Sequence, residues 1–319
     1  MKALAAALLG LAFSAPAMEA KSALNATGAT FPSPLYIQWF GDYANETGNK
    51  VNYQAVGSGA GVRQFKAGTS DFSASDKAIS DKDLRTLGRS VVQIPMTGGA
   101  IGVAYNKPGC ELKMTQVELV KVFAGRIDNW SHFGCGNKPI TIVVRSDGSG
   151  TTAGFTNSLS AFSHVWKTRV GRGKSVNWPA AGTVGGKGNS GVAGMIKNQV
   201  GAIGYLNYGF IQDKFQQASI QNRDGNFVKA NSETSSAALS QITLDDKLRG
   251  ADPNPVGANA FPIVSLTWVL AEPGYKTDAV KPALRYMLSK EAQSKSDALG
   301  YVPLPESLRQ KSLAAVNSL

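Results

Sequence analysis

Three short turns combine glycine or hydroxyl residues with the start of a helical pattern. They are residues 30–33 (TFPS), 57–61 (GSGAG) and 145–151 (RSDGSGT). The first N–H groups of a helix have no partner inside the helix and lie at its positive end, so they can bind an anion. Glycine lets the backbone approach a ligand closely because it has no Cβ. One such turn is usually only a helix cap, but three favour the binding of a tetrahedral oxyanion.

Two charged residues belong to the third turn. Arg145 and Asp147 lie two residues apart at the end of a predicted strand, so their side chains can point to the same side. A guanidinium offers a planar fork to an oxyanion, and a carboxylate can hold that fork in place. Taken alone, the pair favours an ordinary surface ion pair worth about 0–1 kcal/mol.

Asp76 follows a predicted strand and is the residue that would discriminate between anions. A carboxylate beside an anion is unfavourable unless it accepts a hydrogen bond from that anion. Phosphate keeps a proton at neutral pH and sulfate does not, so an acceptor-only carboxylate admits phosphate and rejects sulfate. Position alone is equally compatible with an ordinary N-cap or turn aspartate.

Short β-rich runs alternate with helical patterns, which predicts an α/β fold. Residues 32–47 place apolar and aromatic side chains on one helical face, and Gly48 follows them. Strands 91–95 and 100–105 are predicted to be separate, because Thr97-Gly98-Gly99 between them resembles a break. The other elements that would position the turns are the strands 51–56, 72–75 and 140–144 and the helices 59–67, 80–87 and about 151–162.

The N-terminus predicts export. Lys2 precedes an eleven-residue apolar run at 3–13, and small residues follow, which is the pattern of a signal peptide over 1–20 cleaved after Ala17 or Ala20. Cys110 and Cys135 are the two cysteines of the sequence, and an oxidising compartment favours a disulfide between them. Closing a loop of that size would stabilise the fold by about 3.5 kcal/mol. Two buried free thiols are the alternative.

Composition narrows the class of protein. A length of 319 residues corresponds to about two domains, and 43% apolar residues can bury a sizeable core. Two histidines and two cysteines disfavour a zinc or iron–sulfur site, so no metal or other cofactor is expected. The positive charges that give the net charge of +11 are dispersed along the sequence rather than clustered, which disfavours a nucleic-acid or membrane-surface partner. No apolar segment after the signal peptide is long enough to be membrane-embedded. Residues 186–191 fit G-x-G-x-x-G but are interpreted as a structural loop before a helix.

Four segments resemble the periplasmic phosphate-binding protein family of the bacterial Pst ABC transporter. They are the run from Thr27 to Asp76, RSDGSGTT from Arg145, GGKGNSGV from Gly185 and GAIGYLNY from Gly201. The resemblance covers nearly the whole mature chain. It implies a two-lobe, Venus-flytrap fold of type II-like architecture, with a discontinuous first lobe (21–97 plus 262–319), a second lobe (98–261) and a hinge where 94–104 and 260–270 cross between them.

The resemblance also implies which residues bind inorganic phosphate. The second turn departs from the family, since GSGAG has one hydroxyl fewer than a serine pair. The implied function is capture of phosphate between the lobes and delivery to Pst-type permease subunits by a monomer in the periplasm, without catalysis. The phosphate-binding residues carried over are Thr30, Phe31, Ser58, Asp76, Arg145, Asp147, Ser149, Gly150 and Thr151.

Two other classes of function remain open from the residues alone. A secreted phosphatase or serine hydrolase would use Ser58 or Ser149, but neither lies in G-x-S-x-G and neither has a histidine nearby in sequence. His132 and His164 are the candidate bases for such an enzyme. A module that binds anionic polymers through the +11 charge is the third class.

Overall fold

A computed structural model describes residues 23–319, so the predicted signal peptide lies outside the described residues. The strands are β1 (Ala23–Gly28), β2 (Lys50–Gln54), β3 (Phe72–Ser75), β4 (Val92–Tyr105), β5 (Lys113–Met114), β6 (Thr141–Arg145), β7 (Val184–Gly186), β8 (Ala202–Asn207), β9 (Gln216–Gln217), β10 (Ser219–Gln221), β11 (Phe227–Val228) and β12 (Val264–Ala271). The α-helices are α1 (Ser33–Thr47), α2 (Ser58–Lys66), α3 (Asp81–Leu87), α4 (Gln116–Phe123), α5 (Gly150–Phe162), α6 (His164–Arg169), α7 (Gly188–Asn198), α8 (Tyr208–Ile211), α9 (Ser232–Leu239), α10 (Thr277–Met287), α11 (Lys290–Ser294) and α12 (Glu306–Asn317). Short 3₁₀ turns lie at Trp130–Phe133 and Asp297–Leu299.

The main sheet has the strand order β2-β1-β3-β12-β4-β8-β6-β7, and β9 also pairs with β4. β1 is parallel to β2 and β3, and β6 is parallel to β7 and β8. Antiparallel pairs join these two parallel groups through β12, β4 and β8. We call the strands β2, β1, β3 and β12 the first half of the sheet and β8, β6 and β7 the second half. A smaller sheet has the order β11-β10-β5.

β4 belongs to both halves. Its residues 92–100 pair with β12, and its residues 101–105 pair with β8. The predicted break at Thr97-Gly98-Gly99 is wrong, because β4 runs through these residues without interruption. A Cβ on Gly98 would lie 2.8 Å from Leu239 Cδ1 and 3.0 Å from the Ser265 carbonyl oxygen. Glycine at this position therefore reflects close packing rather than a turn.

Local sequence signals account for the helix that follows β1. The aromatic face predicted for residues 32–47 is buried, since Tyr36 and Trp39 are fully enclosed. Gly48 ends α1 in the left-handed region with φ 75°, a conformation that glycine adopts without the steric cost of a Cβ. Ser80 caps α3, the helix predicted at 80–87, by accepting a hydrogen bond from the Asp83 N–H. These caps fix where the helices begin and end.

The predicted disulfide between Cys110 and Cys135 is confirmed. The two Cα atoms lie 5.3 Å apart, which is a normal separation for a disulfide. The bridge ties the segment after β4 to the 3₁₀ turn at Trp130–Phe133, where the Trp130 indole N–H donates to the Gly201 carbonyl at 2.9 Å. The disulfide thus links two loops that lie outside the strands of the main sheet.

Candidate functional site

Four helices begin at one place between the two halves of the sheet. α1 and α2 follow strands of the first half, and α5 and α7 follow strands of the second half. The loops before them touch: a Cβ added to Gly57 would lie 2.1 Å from Asp147 Oδ2, and one added to Gly150 would lie 2.5 Å from Ser58 Oγ. This convergence places several helix N-termini and hydroxyl groups around one small volume, as the three turns predict.

Arg145 and Asp147 form a buried pair at the end of β6. Arg145 Nε donates to Asp147 Oδ1 at 2.7 Å, and a terminal nitrogen donates to Oδ2 at 2.5 Å. Only 1% of the Arg145 side chain is exposed, so this is not the surface ion pair that the sequence alone favours. Although burial opposes ionisation of Asp147, the hydrogen bonds and charge of Arg145 hold the pKa of that carboxyl below its usual value. The other terminal nitrogen of Arg145 donates to Thr151 Oγ1 at 3.4 Å.

Asp76 is buried directly after β3, and its carboxyl accepts hydrogen bonds from hydroxyl groups. Thr267 Oγ1 donates to Oδ1 at 3.0 Å, and Ser58 Oγ lies 3.4 Å from Oδ2. Burial raises the pKa of Asp76 to about 7, against the opposing effects of the Thr267 hydrogen bond and the Arg145 charge. The N-cap of α3 is Ser80 and not Asp76, so a local capping role does not account for this residue.

Thr30 and Phe31 lie at the start of α1. Thr30 Oγ1 accepts hydrogen bonds from the backbone N–H of Asn189 at 3.1 Å and from its side-chain amide at 2.9 Å. Phe31 is fully buried, and its carbonyl oxygen accepts a hydrogen bond from the Tyr301 hydroxyl at 2.7 Å. These contacts hold the first turn against the second half of the sheet and against the C-terminal segment.

The second and third turns contact each other across the two halves. Gly150 N–H donates to Ser58 Oγ at 3.1 Å, and Gly59 N–H donates to the Gly148 carbonyl at 2.7 Å. Ser149 is the N-cap of α5, where its hydroxyl accepts a hydrogen bond from the Thr152 N–H at 3.0 Å. All nine residues that the sequence assigns to phosphate binding therefore lie at the four converging helix starts or in direct contact with them.

Two further residues belong to this cluster, and sequence reasoning missed both. Asn189 is fully buried at the start of α7, and its side-chain amide also reaches Thr151 Oγ1 at 3.3 Å. The motif at 186–191 follows a short strand, β7, so its interpretation as a structural loop alone is incomplete. The other residue is Thr267 on β12. Its strand is mostly apolar, and no local signal distinguishes Thr267, which donates to the Asp76 carboxyl, from Ser265, which donates to the Asp76 backbone carbonyl.

The cluster has the chemistry of a binding site for an oxyanion. It offers hydroxyl donors, helix N-termini and one guanidinium, with one buried carboxyl that can accept a proton. His132 is an exposed residue of the 3₁₀ turn at Trp130–Phe133, and its Nε2 lies 3.2 Å from Glu118 Oε1. Among residues 23–319, no histidine forms a hydrogen bond with Ser58 or Ser149. The same part of the chain has no group of three or more His, Cys, Asp or Glu side chains that could hold a metal ion. Within it, no helix is long and apolar enough to cross a membrane.

Comparison with known proteins identifies the class first. The family description that matches residues 15–291 is that of a PBP superfamily domain, and a solved high-affinity periplasmic phosphate-binding protein (PfluDING) with bound phosphate has the same fold. That structure superposes with a TM-score of 0.78 at 23% identity, over 91% of this chain and 93% of the other. The α/β, two-lobe fold predicted from the sequence is thus confirmed.

Curated relatives then give the particular family. The phosphate-binding protein PstS of Haemophilus influenzae is 37% identical over 309 residues, which cover 91% of each chain. The PstS protein of Xylella fastidiosa strain Temecula1 is 36% identical over 304 residues, covering 89% of this chain and 82% of the relative. This chain belongs to the PstS family of phosphate-binding proteins. The resemblance drawn from the sequence is confirmed.

Proposed function

We propose that this chain captures inorganic phosphate at the four converging helix starts and delivers it to an ABC transporter for import. Membership of the PstS family and the name of its relatives as phosphate-binding proteins support this function. The proposed ligand contacts are those carried over from the sequence, with Asn189 added. No cofactor takes part, because hydrogen-bond donors and one guanidinium supply all the attraction that an oxyanion needs.

The observation that most directly favours phosphate over other anions is the buried carboxyl of Asp76. Its Oδ1 accepts a hydrogen bond from Thr267, while its Oδ2 lies 3.4 Å from Ser58 Oγ, which in turn contacts the start of α5. A ligand between these turns would bring a protonated oxygen to Asp76 and unprotonated oxygens to the donors. Phosphate can do both, whereas sulfate would place an acceptor against an acceptor.

Closure of the two halves over the ligand would exclude water from the site. The described contacts between Gly59 and Gly148 and between Thr30 and Asn189 show how closely the halves approach. β4 and the segment leading into β12 would serve as the hinge, with 21–97 plus 262–319 as one lobe and 98–261 as the other. Hinge closure of this kind around a ligand is one of the common conformational changes in proteins.

The family is one of binding proteins, and we infer that this member performs no catalysis. A serine hydrolase of the common type would place a histidine beside its serine, but the Ser149 hydroxyl accepts from a backbone N–H, and Ser58 contacts backbone N–H groups and the Asp76 carboxyl instead. We further propose that the mature chain acts in the periplasm as a monomer and docks on Pst-type permease subunits. The signal-peptide pattern at 1–20 supports export.

Calorimetric titration of the mature protein, unfolded and refolded to remove bound ligand, tests the function. We expect tight one-to-one binding of phosphate and no heat with sulfate. The Arg145→Ala variant should bind phosphate at least tenfold more weakly, because a hydrogen bond to a charged group contributes about 1.5–3 kcal/mol. Arg309→Ala is the matched control, since Arg309 is also buried and pairs with a carboxylate three residues away, Glu306. No phosphate binding by folded wild-type protein would refute the function.

A further inference from the structure

A second cluster of cations lies beside the candidate site. A cavity of about 360 Å³, called here the outer cavity, is lined by Arg63, Lys66, Lys77 and Lys174. Asp83 is the carboxylate in the same lining, so positive charges outnumber negative ones by three. The other lining residues are uncharged.

These cations form no close ion pairs within the described part of the chain. Among the residues from 23 to 319, none of the four forms an ion pair, whereas cations elsewhere on the surface such as Arg249 and Lys295 do. Lys174 is partly buried, and its burial together with the charge of Lys77 lowers the pKa of its amine to about 8. Asp76 and Asp83 act on Lys174 with opposite charge, but the cations of the cavity outnumber these carboxylates and repel one another, and an anion between them would relieve that repulsion.

The outer cavity adjoins the candidate site through the backbone. Lys77 follows Asp76 directly, and Gly59, which also lines the cavity, follows Ser58. The Lys174 carbonyl accepts a hydrogen bond from the Ser149 N–H at 2.8 Å. Arg63 and Lys66 lie on α2 and Lys77 follows β3, so these three cations stay together beside the first half of the sheet whether or not the two halves are close. Lys174 precedes β7 of the second half and joins them when the halves approach.

We propose that the outer cavity is a second, weaker oxyanion site that holds phosphate before it reaches the candidate site. The proposal rests on the phosphate capture proposed above. The outer site consists of cations, and its carboxylate, Asp83, already accepts a hydrogen bond from Ser80 at 2.7 Å. It has no counterpart of the buried Asp76 carboxyl. The outer site therefore binds sulfate as well as phosphate, and the discrimination between them occurs at Asp76.

This difference gives a direct test with the wild-type protein. Phosphate association is measured by rapid mixing at low ionic strength, with sodium sulfate or with sodium chloride at matched ionic strength. Sulfate should slow association more than chloride does, because it occupies the outer site. The dissociation rate and the amount of phosphate bound at saturation should not change, because sulfate does not enter the inner site.

Variants locate the effect. Lys66→Gln/Lys77→Gln removes two exposed cations of the outer cavity, and Lys121→Gln/Lys197→Gln removes two exposed lysines from the last turns of other helices. Both pairs change the net charge by the same amount. We expect the first pair to lower the association rate about tenfold at low salt, at the lower end of electrostatic steering, and to abolish the specific effect of sulfate. The second pair should keep both.

The outcomes separate the two proposals. If wild-type protein binds phosphate and sulfate slows its association no more than chloride does, the outer site is refuted and the phosphate function stands. If the two variant pairs lower the association rate equally, general charge and not the outer cavity is responsible, and the outer site is again refuted. If folded protein binds no phosphate, both proposals fail.

Discussion

Replacing Asp76 by Asn should change anion selectivity with little change in shape. The amide keeps an oxygen that can accept the hydrogen bond from Thr267 Oγ1, which lies 3.0 Å from Oδ1 of the native carboxyl. Its nitrogen is a donor, so the group that faces the ligand changes from an acceptor to a donor. Phosphate then loses a partner for its proton, and sulfate gains a partner for an oxygen.

The size of the effect follows from the strength of a hydrogen bond to a charged group. Loss of about 1.5–3 kcal/mol weakens phosphate binding about tenfold to 150-fold. A gain of similar size strengthens sulfate binding by a similar factor. The ratio of phosphate to sulfate affinity should therefore fall by about 10²- to 10⁴-fold, which is far larger than the error of a calorimetric titration.

Competition titrations at pH 8 provide the assay, because burial raises the pKa of Asp76 to about 7 and the wild-type carboxyl is mostly ionised at this pH. Asp71→Asn is the control. Asp71 is a buried carboxylate of the same half of the sheet, and it accepts hydrogen bonds from Lys276 at 2.8 Å and from the Asn25 N–H at 2.7 Å. This variant should keep the native preference for phosphate. Continued exclusion of sulfate by Asp76→Asn, with phosphate still bound, would refute the role of the carboxyl as proton acceptor.

Three further predictions concern closure and stability. Gly150→Ala should weaken phosphate binding by about 1–3 kcal/mol, because the added Cβ would lie 2.5 Å from Ser58 Oγ and 2.7 Å from Asp76 Cβ. Calorimetry should show no such loss for the control Gly194→Ala, whose Cβ would meet nothing within 4 Å. Without phosphate, the pKa of Asp76 is higher in the folded protein than in the unfolded chain, so the unfolded chain loses this proton first as pH rises. The free energy of unfolding should therefore fall by about 4 kcal/mol between about pH 4 and a pH above 7. Urea unfolding of Asp76→Asn should lack this fall, and identical pH profiles of the two proteins would contradict the prediction. Cys110→Ser/Cys135→Ser should lower the free energy of unfolding by about 3.5 kcal/mol and leave phosphate affinity unchanged, so a large loss of affinity would show that the bridge also shapes the site.

The sequence predicts the helix starts well because their signals are local. Ser80 caps α3, Thr115 and Glu118 form a capping box at the start of α4, and Ser149 caps α5. Each signal depends on a hydroxyl and a backbone N–H a few residues apart, so no tertiary information is needed. The third of the predicted anion-binding turns lies at such a start, while the starts of α1 and α2 have no side-chain cap and are marked by Pro32 and Gly57 instead. These residues are local signals too, so most of the candidate site is predictable from the sequence.

Tertiary packing determines what the sequence does not reveal. Thr267 reaches Asp76 across 191 residues, and Asn189 reaches Thr30 across 159 residues, so neither contact has a local signature. Gly98 looks like a strand break in sequence but is small because Leu239 and the Ser265 backbone approach it closely. In each case the residue type is set by a neighbour that only the fold brings into contact.

The continuous strand β4 has a consequence for how the molecule comes apart. Two domains that share only a linker often unfold separately, but here 92–100 and 101–105 of one strand form the ladders of both halves. Melting either half would leave one end of the same strand without its hydrogen-bond partners. Heating should therefore give one calorimetric transition, and the slowest-exchanging amide protons should lie along β4 and β12, in the middle of the sheet rather than in two separate cores.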